Sequence, residues 1–204
     1  MRSRLFVLLV AFLALFGSAS QLRAEQAAIG APAPEFNLNN ALGNIVSSRS
    51  FLGKTVVLEW FNPGCPFVKK FYANTDMQRF QAEARKLGAV WLTINSSAPG
   101  KQGHISKDEA LTIAKENGLA PESLLLDPDG NVGRSFGAKT TPHIFVIDSK
   151  GILAYAGAID NVPSTRSSDI ASASNYAINA VKSLAANQRP DPASTDSYGC
   201  SVKY

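Results

Sequence analysis

The run at residues 55–61, TVVLEWF, constrains the fold of this chain more than any other segment. It is β-branched and aromatic, of strand length, and carries a single charge at Glu59. A run apolar at successive positions needs cover on both faces, which is the situation of a strand inside a sheet that is layered on either side. Asn62-Pro63-Gly64 ends the run with turn-forming residues. Cys65 then opens a helical stretch that restarts near Thr75 and continues through Met77, Phe80 and Ala84 to Gly88. A buried strand that turns directly into a helix is the β-turn-α unit of an α/β sheet.

The rest of the chain repeats that alternation. Residues 29–50 hold two prolines, two glycines and short apolar pieces around Phe36, Leu38, Ile45 and Val46, predicting an edge hairpin. A second apolar strand is expected at 89–94 (AVWLTI), followed by a polar loop and a helix from Ser106, where Ser106 and Glu109 form a capping box. Further on, the pattern predicts a short strand at 124–126, a turn at 127–130, a hairpin from 143–148 and 153–157, and a final helix over 170–186. Residues 188–204 carry two prolines and no apolar period, and read as an irregular tail. The fold class is α/β: a central mixed sheet flanked by helices, with an N-terminal β-hairpin.

Residues 1–24 form a separate unit. Arg2 and Arg4 precede the twelve-residue apolar run 5–16, and small residues follow. This is the plan of a secretory signal peptide, and the run is well short of the ~20 residues that span a bilayer, so no stable membrane insertion is expected. Cleavage is expected after Ala24, with Ala19 and Ser20 as alternatives. The domain then covers 25–187 and the tail 188–204. Without the leader, 17 basic residues face 16 acidic ones, a net charge of +1. The electrostatic case for nucleic acid fails at that charge. No Gly-rich phosphate loop or dinucleotide fingerprint is present, and no cofactor is expected.

The chain has two cysteines, Cys65 and Cys200. A thiol where a strand ends and a helix begins is biased toward thiolate. Lys69, one turn on, is placed to add to that bias, although Lys69 and Lys70 also read as solvated helix surface. The segment after the last helix is long enough for Cys200 to reach Cys65.

With these residues in view, the chain resembles the thioredoxin-like superfamily, in its exported redoxin and peroxiredoxin-related (alkyl hydroperoxide reductase/thiol-specific antioxidant) branch. APAPEFNL and FLGKTVVLEWFNPGCPFV resemble the family's entry hairpin, first central strand and active-site turn. LLLDPDGNVGRSFGAKTTPHIFVIDSKGILAYAG resembles its second half. The resemblance implies a thioredoxin-like fold and a cis-proline at Thr141-Pro142 beside Cys65. It also implies an exposed Thr141 backbone that pairs with an extended segment of a thiol- or disulfide-bearing partner, an external thiol reductant, and a periplasmic location. Glu59 stands where thioredoxins carry a buried acid, which makes it a candidate proton-transfer group if it points inward.

Departures from the family pattern matter as much. The second cysteine of the usual dithiol motif is Val68 here, Asn62 replaces the peroxiredoxin Thr or Ser, and Leu58 replaces its Pro. Efficient peroxidase activity is therefore not expected, and Asn62 is either a ligand for a bound oxygen or a turn former. Cys200 is either the resolving thiol or half of a permanent structural disulfide. The reading is an exported thiol-disulfide oxidoreductase or thiol-dependent antioxidant acting through Cys65. Its alternatives are a thioredoxin-fold binding module with structural cysteines and, behind that, a copper-handling protein using Cys65 with His104 or His143. No metal site is the favoured expectation.

Overall fold

The computed structural model describes residues 26–204, so the signal peptide expected at 1–24 lies outside the described residues. The first hairpin forms as the apolar pieces predict: β1 (Asn37–Asn40) pairs antiparallel with β2 (Ile45–Ser47). The seven-residue run becomes β3 (Val56–Trp60), buried along its whole length. Two helices follow, α1 (Pro66–Tyr72) and α2 (Asp76–Lys86), separated where Thr75 takes a left-handed conformation with φ 59°. Next come β4 (Val90–Asn95), α3 (Ala110–Glu116) and β5 (Leu124–Leu126).

The remaining elements are α4 (Asn131–Phe136), the two-residue β6 (Thr140–Thr141), the hairpin β7 (His143–Ile147) and β8 (Leu153–Gly157), α5 (Tyr176–Ala185), and β9 (Cys200–Ser201). Seven strands make one mixed sheet in the order β2-β1-β5-β4-β3-β7-β8. β4 is parallel to both β3 and β5, and β7 runs antiparallel to β3 and β8. β3 thus has a strand on each side and cover on each face, as its apolar run requires.

Period-two alternation divides β3 between two cores. Val56, Leu58 and Trp60 pack with Leu92, Ile94, Phe145, Ile147 and the α4 residues Val132 and Phe136. Val57 faces the opposite side, with Trp91, Ile144 and Val146, under Phe71 of α1, Met77 and Phe80 of α2, and Ala177 and Val181 of α5. Burial on both faces makes β3 a firm platform for a side chain at its C-terminal end.

Two expectations are corrected and two features go beyond the sequence reading. The Ser106/Glu109 bonds form, with Glu109 N donating to Ser106 Oγ at 3.3 Å and Ser106 N to Glu109 Oε2 at 3.1 Å, yet regular α-helix begins only at Ala110. The single final helix is a 3-10 turn at Ser167–Ser172 followed by α5, whose start is set by Asn175 Oδ1 accepting from Ile178 N. α4 was not expected: it is short, framed by Gly130 and Gly137 at φ 66° and 68°, and capped by Asp127, which accepts from the amides of Val132 and Gly133. The tail is irregular but docked, and β9 within it pairs antiparallel with β6.

Candidate active site

Cys65 sits at the N-cap of α1, in extended conformation, with Pro66 as the first helical residue. The turn before it is built by Asn62: its carbonyl accepts from Cys65 N at 3.0 Å, and its side-chain Oδ1 accepts from Gly64 N at 2.8 Å. Asn62 Nδ2 donates to Gln102 Oε1 at 2.9 Å. The side chain is 1% exposed and its polar atoms are engaged within the protein, which makes Asn62 a turn former that ties the active-site turn to the 97–105 loop.

The Cys65 thiol is fully buried and donates to the Thr141 carbonyl at 3.1 Å. The Thr141-Pro142 peptide is cis. The expectation of an exposed Thr141 backbone is overturned: Thr141 is 3% exposed, because β9 of the chain's own tail lies against it, with Thr141 paired to Cys200 and Thr140 to Ser201. That pairing brings the two thiols together, with Cys65 Sγ and Cys200 Sγ 2.7 Å apart across 135 residues of sequence.

Gly199 allows this approach. Its φ is 130°, a region that disfavours side chains, and a Cβ there would overlap the Thr141 carbonyl. Just before it, Tyr198 anchors the tail. Its hydroxyl donates to Asp160 Oδ1, and its ring lies edge-on to Phe67 and 5.8 Å from Lys70 Nζ.

Lys70 is not the solvated residue its sequence position implied. Its ammonium is buried, donating to Val162 O at 3.0 Å and paired with Asp160 at 3.4 Å, with both side chains at most 2% exposed. Lys69 is exposed. Beyond Cys200, Val202 N donates to Lys139 O, Ala98 N to Lys203 O, and Tyr204 OH to Ala138 O, so the terminus is tied down on both sides of the cysteine.

The titrations of the two thiols split. Burial pushes the Cys65 thiol up, but hydrogen bonds from Cys200, Thr141 and the first turn of α1 outweigh it, leaving Cys65 below an ordinary cysteine. Cys200 is pushed up to about 11, first by burial and then by Cys65 beside it. Of the two neighbouring thiols, Cys65 is the one whose ionisation the surroundings favour.

Glu59 does point inward. It is fully buried, accepting from Tyr72 OH at 2.9 Å, Trp91 Nε1 at 2.9 Å and Thr93 Oγ1 at 3.4 Å. Burial raises its carboxyl to about 7 against these stabilising donors. None of its hydrogen-bond partners is a cysteine. His143 is buried, its Nδ1 accepting from Lys139 N at 3.2 Å, and burial lowers it to about 4, so it is neutral near pH 7. His104 faces Ser97 O at 2.8 Å. Among the described residues no three His, Cys, Asp or Glu side chains are grouped to hold a metal ion. None of the helices there is long and apolar enough to cross a membrane.

Residues 29–156 match the AhpC/TSA family. The chain belongs to that family. Solved structures share the fold of this AhpC/TSA member over most of its length. A hypothetical protein of Sinorhizobium meliloti is 21% identical with a TM-score of 0.72, covering 88% of this chain and 96% of its own. An uncharacterized conserved protein of Geobacillus kaustophilus is 24% identical with a TM-score of 0.72, over 87% and 92%. The thioredoxin domain of a thiol-disulfide oxidoreductase from Bacteroides vulgatus is 20% identical with a TM-score of 0.51, over 64% and 89%. No curated protein matches the sequence. The thioredoxin-like fold expected from the motifs is the fold observed.

Tyr198, Gly199, Lys70 and Asp160 are the site residues that sequence reasoning missed. Gly199 was the one available signal, since a glycine can mark a place where another backbone approaches closely.

Proposed function

We propose that this AhpC/TSA member is an exported thiol-disulfide oxidoreductase whose redox unit is the Cys65–Cys200 pair. The observation that carries the reading is the 2.7 Å separation of the two sulfurs, held by the β6–β9 pairing. The missing second cysteine at Val68 is replaced in space by one that arrives on the C-terminal tail.

In the forward exchange the tail swings aside and the Cys65 thiolate attacks one sulfur of a partner disulfide. A mixed disulfide forms and one partner thiolate leaves. Cys200, deprotonated as it attacks, displaces the second partner thiolate from Cys65 and closes the Cys65–Cys200 bond. Two electrons pass from the protein dithiol to the partner, whose two thiolates take up the protons of the two protein thiols. A thiol reductant then reopens the bond. Disulfides rather than peroxides suit the site, because Asn62, which replaces the peroxiredoxin hydroxyl residue, has its polar atoms engaged by Gly64 and Gln102. Glu59 is assigned a supporting place, as a buried acid under α1 that sets the charge state beneath the site. The signal-peptide pattern of residues 1–24 supports export, and the family resemblance, not the leader, points to the periplasm as destination.

The test is disulfide mapping by mass spectrometry on protein purified without reductant, then mildly reduced and reoxidised with one equivalent of oxidant. Re-formation of a Cys65–Cys200 bond is expected. A bond that survives mild reduction, or a Cys65 that stays a free and unreactive thiol, would overturn the reading in favour of structural cysteines.

A further inference from the structure

The Cys65 and Cys200 sulfurs, 2.7 Å apart as free thiols, are not equally open to attack. Cys65 has no exposed surface, while Cys200 is half-buried on the last segment of the chain. Burial of Cys65 comes from three sides. The side chains of Val68 and Phe71 pack in the same core, the Thr141 carbonyl lies 3.1 Å from its sulfur, and β9 itself closes the remaining approach. β9 also occupies the strand-pairing edge at Thr140 and Thr141, which an extended partner would need in order to be guided toward Cys65. Closing the bond therefore seals both the sulfur and its docking edge.

We propose that the thiol reductant enters at Cys200, forming its mixed disulfide there and expelling Cys65, so that the two halves of the cycle use different sulfurs. The inference rests on the Cys65–Cys200 pair being redox-active. In the step, a reductant thiolate bonds to Cys200 Sγ, the Cys200–Cys65 bond breaks, and its electron pair leaves on Cys65. A second reductant thiol then attacks the mixed disulfide, releasing Cys200 as a thiol and the reductant as its own disulfide. Two reductant thiols are oxidised and one protein disulfide is reduced.

The electrostatics of the pair run the same way. Thiol exchange favours the sulfur whose partner is the better stabilised leaving thiolate, and the hydrogen bonds that Cys65 draws from Thr141 and from the first turn of α1 remain when Cys200 carries the reductant. The chemical class this route accepts is a small thiol or a thiol on a protruding surface, since neither needs the covered edge.

The experiment uses the full wild-type protein, oxidised and mapped first, then mixed with reduced glutathione for short intervals, quenched in acid and blocked with N-ethylmaleimide. Peptide mass spectrometry then reads which cysteine carries glutathione and which carries the blocking group. At the earliest times glutathione on Cys200 with N-ethylmaleimide on Cys65 is expected to exceed the reverse by about ten-fold. Equal labelling, or an excess on Cys65, overturns the proposal while leaving the redox pair intact. Absence of the Cys65–Cys200 bond in the starting protein overturns the functional reading, and this proposal with it.

Discussion

The segment that carries Cys65 and the segment that carries Cys200 are held by different kinds of contact. Cys65 follows a strand with neighbours on both edges and apolar layers on both faces, and it opens a helix packed against the same core. Cys200 lies on a tail held by a two-residue strand pairing, by the Thr195, Tyr198 and Tyr204 hydroxyls at Tyr155, Asp160 and Ala138, and by backbone bonds that join Ala193 and Thr195 to Ala156, Val202 to Lys139 and Lys203 to Ala98. A side chain fixed by a sheet opens only when the domain unfolds, whereas one fixed by polar anchors opens by itself at lower free energy. That division suits a redox pair in which one thiol must stay in place and the other must leave and return.

The sharpest test of the division is to remove each thiol in turn. Cys65→Ser is expected to abolish disulfide exchange. Cys200→Ser is expected to retain a first mixed disulfide on Cys65 but lose intramolecular closure, as read by turnover assays and intact mass. Equal residual turnover in the two variants would erase the distinction.

The next effect concerns the buried ion pair beneath the tail. Asp160→Asn leaves the Lys70 ammonium buried without its carboxylate, and removing one partner of such a pair costs about 3–5 kcal/mol, measurable by urea unfolding. A loss under ~1 kcal/mol would mean that Lys70 escapes to solvent.

On the rigid side, Glu59 is expected to make stability depend on pH. Its carboxyl titrates near 4.5 when unfolded and at about 7 when folded. The folded state therefore holds a proton that the unfolded state has lost between those values. The penalty is absent below the lower value, grows as pH rises, and is complete above the higher one, amounting to about 3 kcal/mol. Glu59→Gln is expected to flatten that decline in thermal or urea unfolding between pH 4.5 and 8. Parallel curves for the two proteins would contradict it.

The smallest effect is at Gly199. Gly199→Ala places a methyl group against the Thr141 carbonyl in a strained backbone region, at a cost of about 1–3 kcal/mol. The cost is expected in closure of the Cys65–Cys200 bond more than in global stability, so the rate of disulfide formation is expected to fall while the unfolding midpoint moves little. A reversed pattern would show the tail to be part of the cooperative core.

Much of the first region was legible. TVVLEWF carries its own evidence of two-sided burial, Asn62-Pro63-Gly64 of a turn, and Thr141-Pro142 with the IFVID strand of the loop beside Cys65. These are local signals, in which hydrophobic periodicity and backbone preference act over a few residues. Helix ends were less legible: the Ser106/Glu109 bonds formed without starting regular helix at that point, and Asn175, not the apolar period, decided where α5 begins.

The tail was legible only as a stretch without a period. A two-residue strand has no alternation to read, and its partner lies about sixty residues away in β6.

The sequence by itself determined the α/β layering, the position of Cys65 at the end of the central strand, and the loss of the second cysteine at Val68. Tertiary structure alone decided that Cys200 comes to lie beside Cys65, that Lys70 is buried against Asp160, and that Thr141 is covered by the chain's own end. The reason is physical. Strand and helix arise from interactions between near neighbours, whose pattern is written in order along the chain. A thiol pair 135 residues apart and a lysine drawn into the core depend on which surfaces meet after the sheet has closed, and no local pattern encodes that meeting.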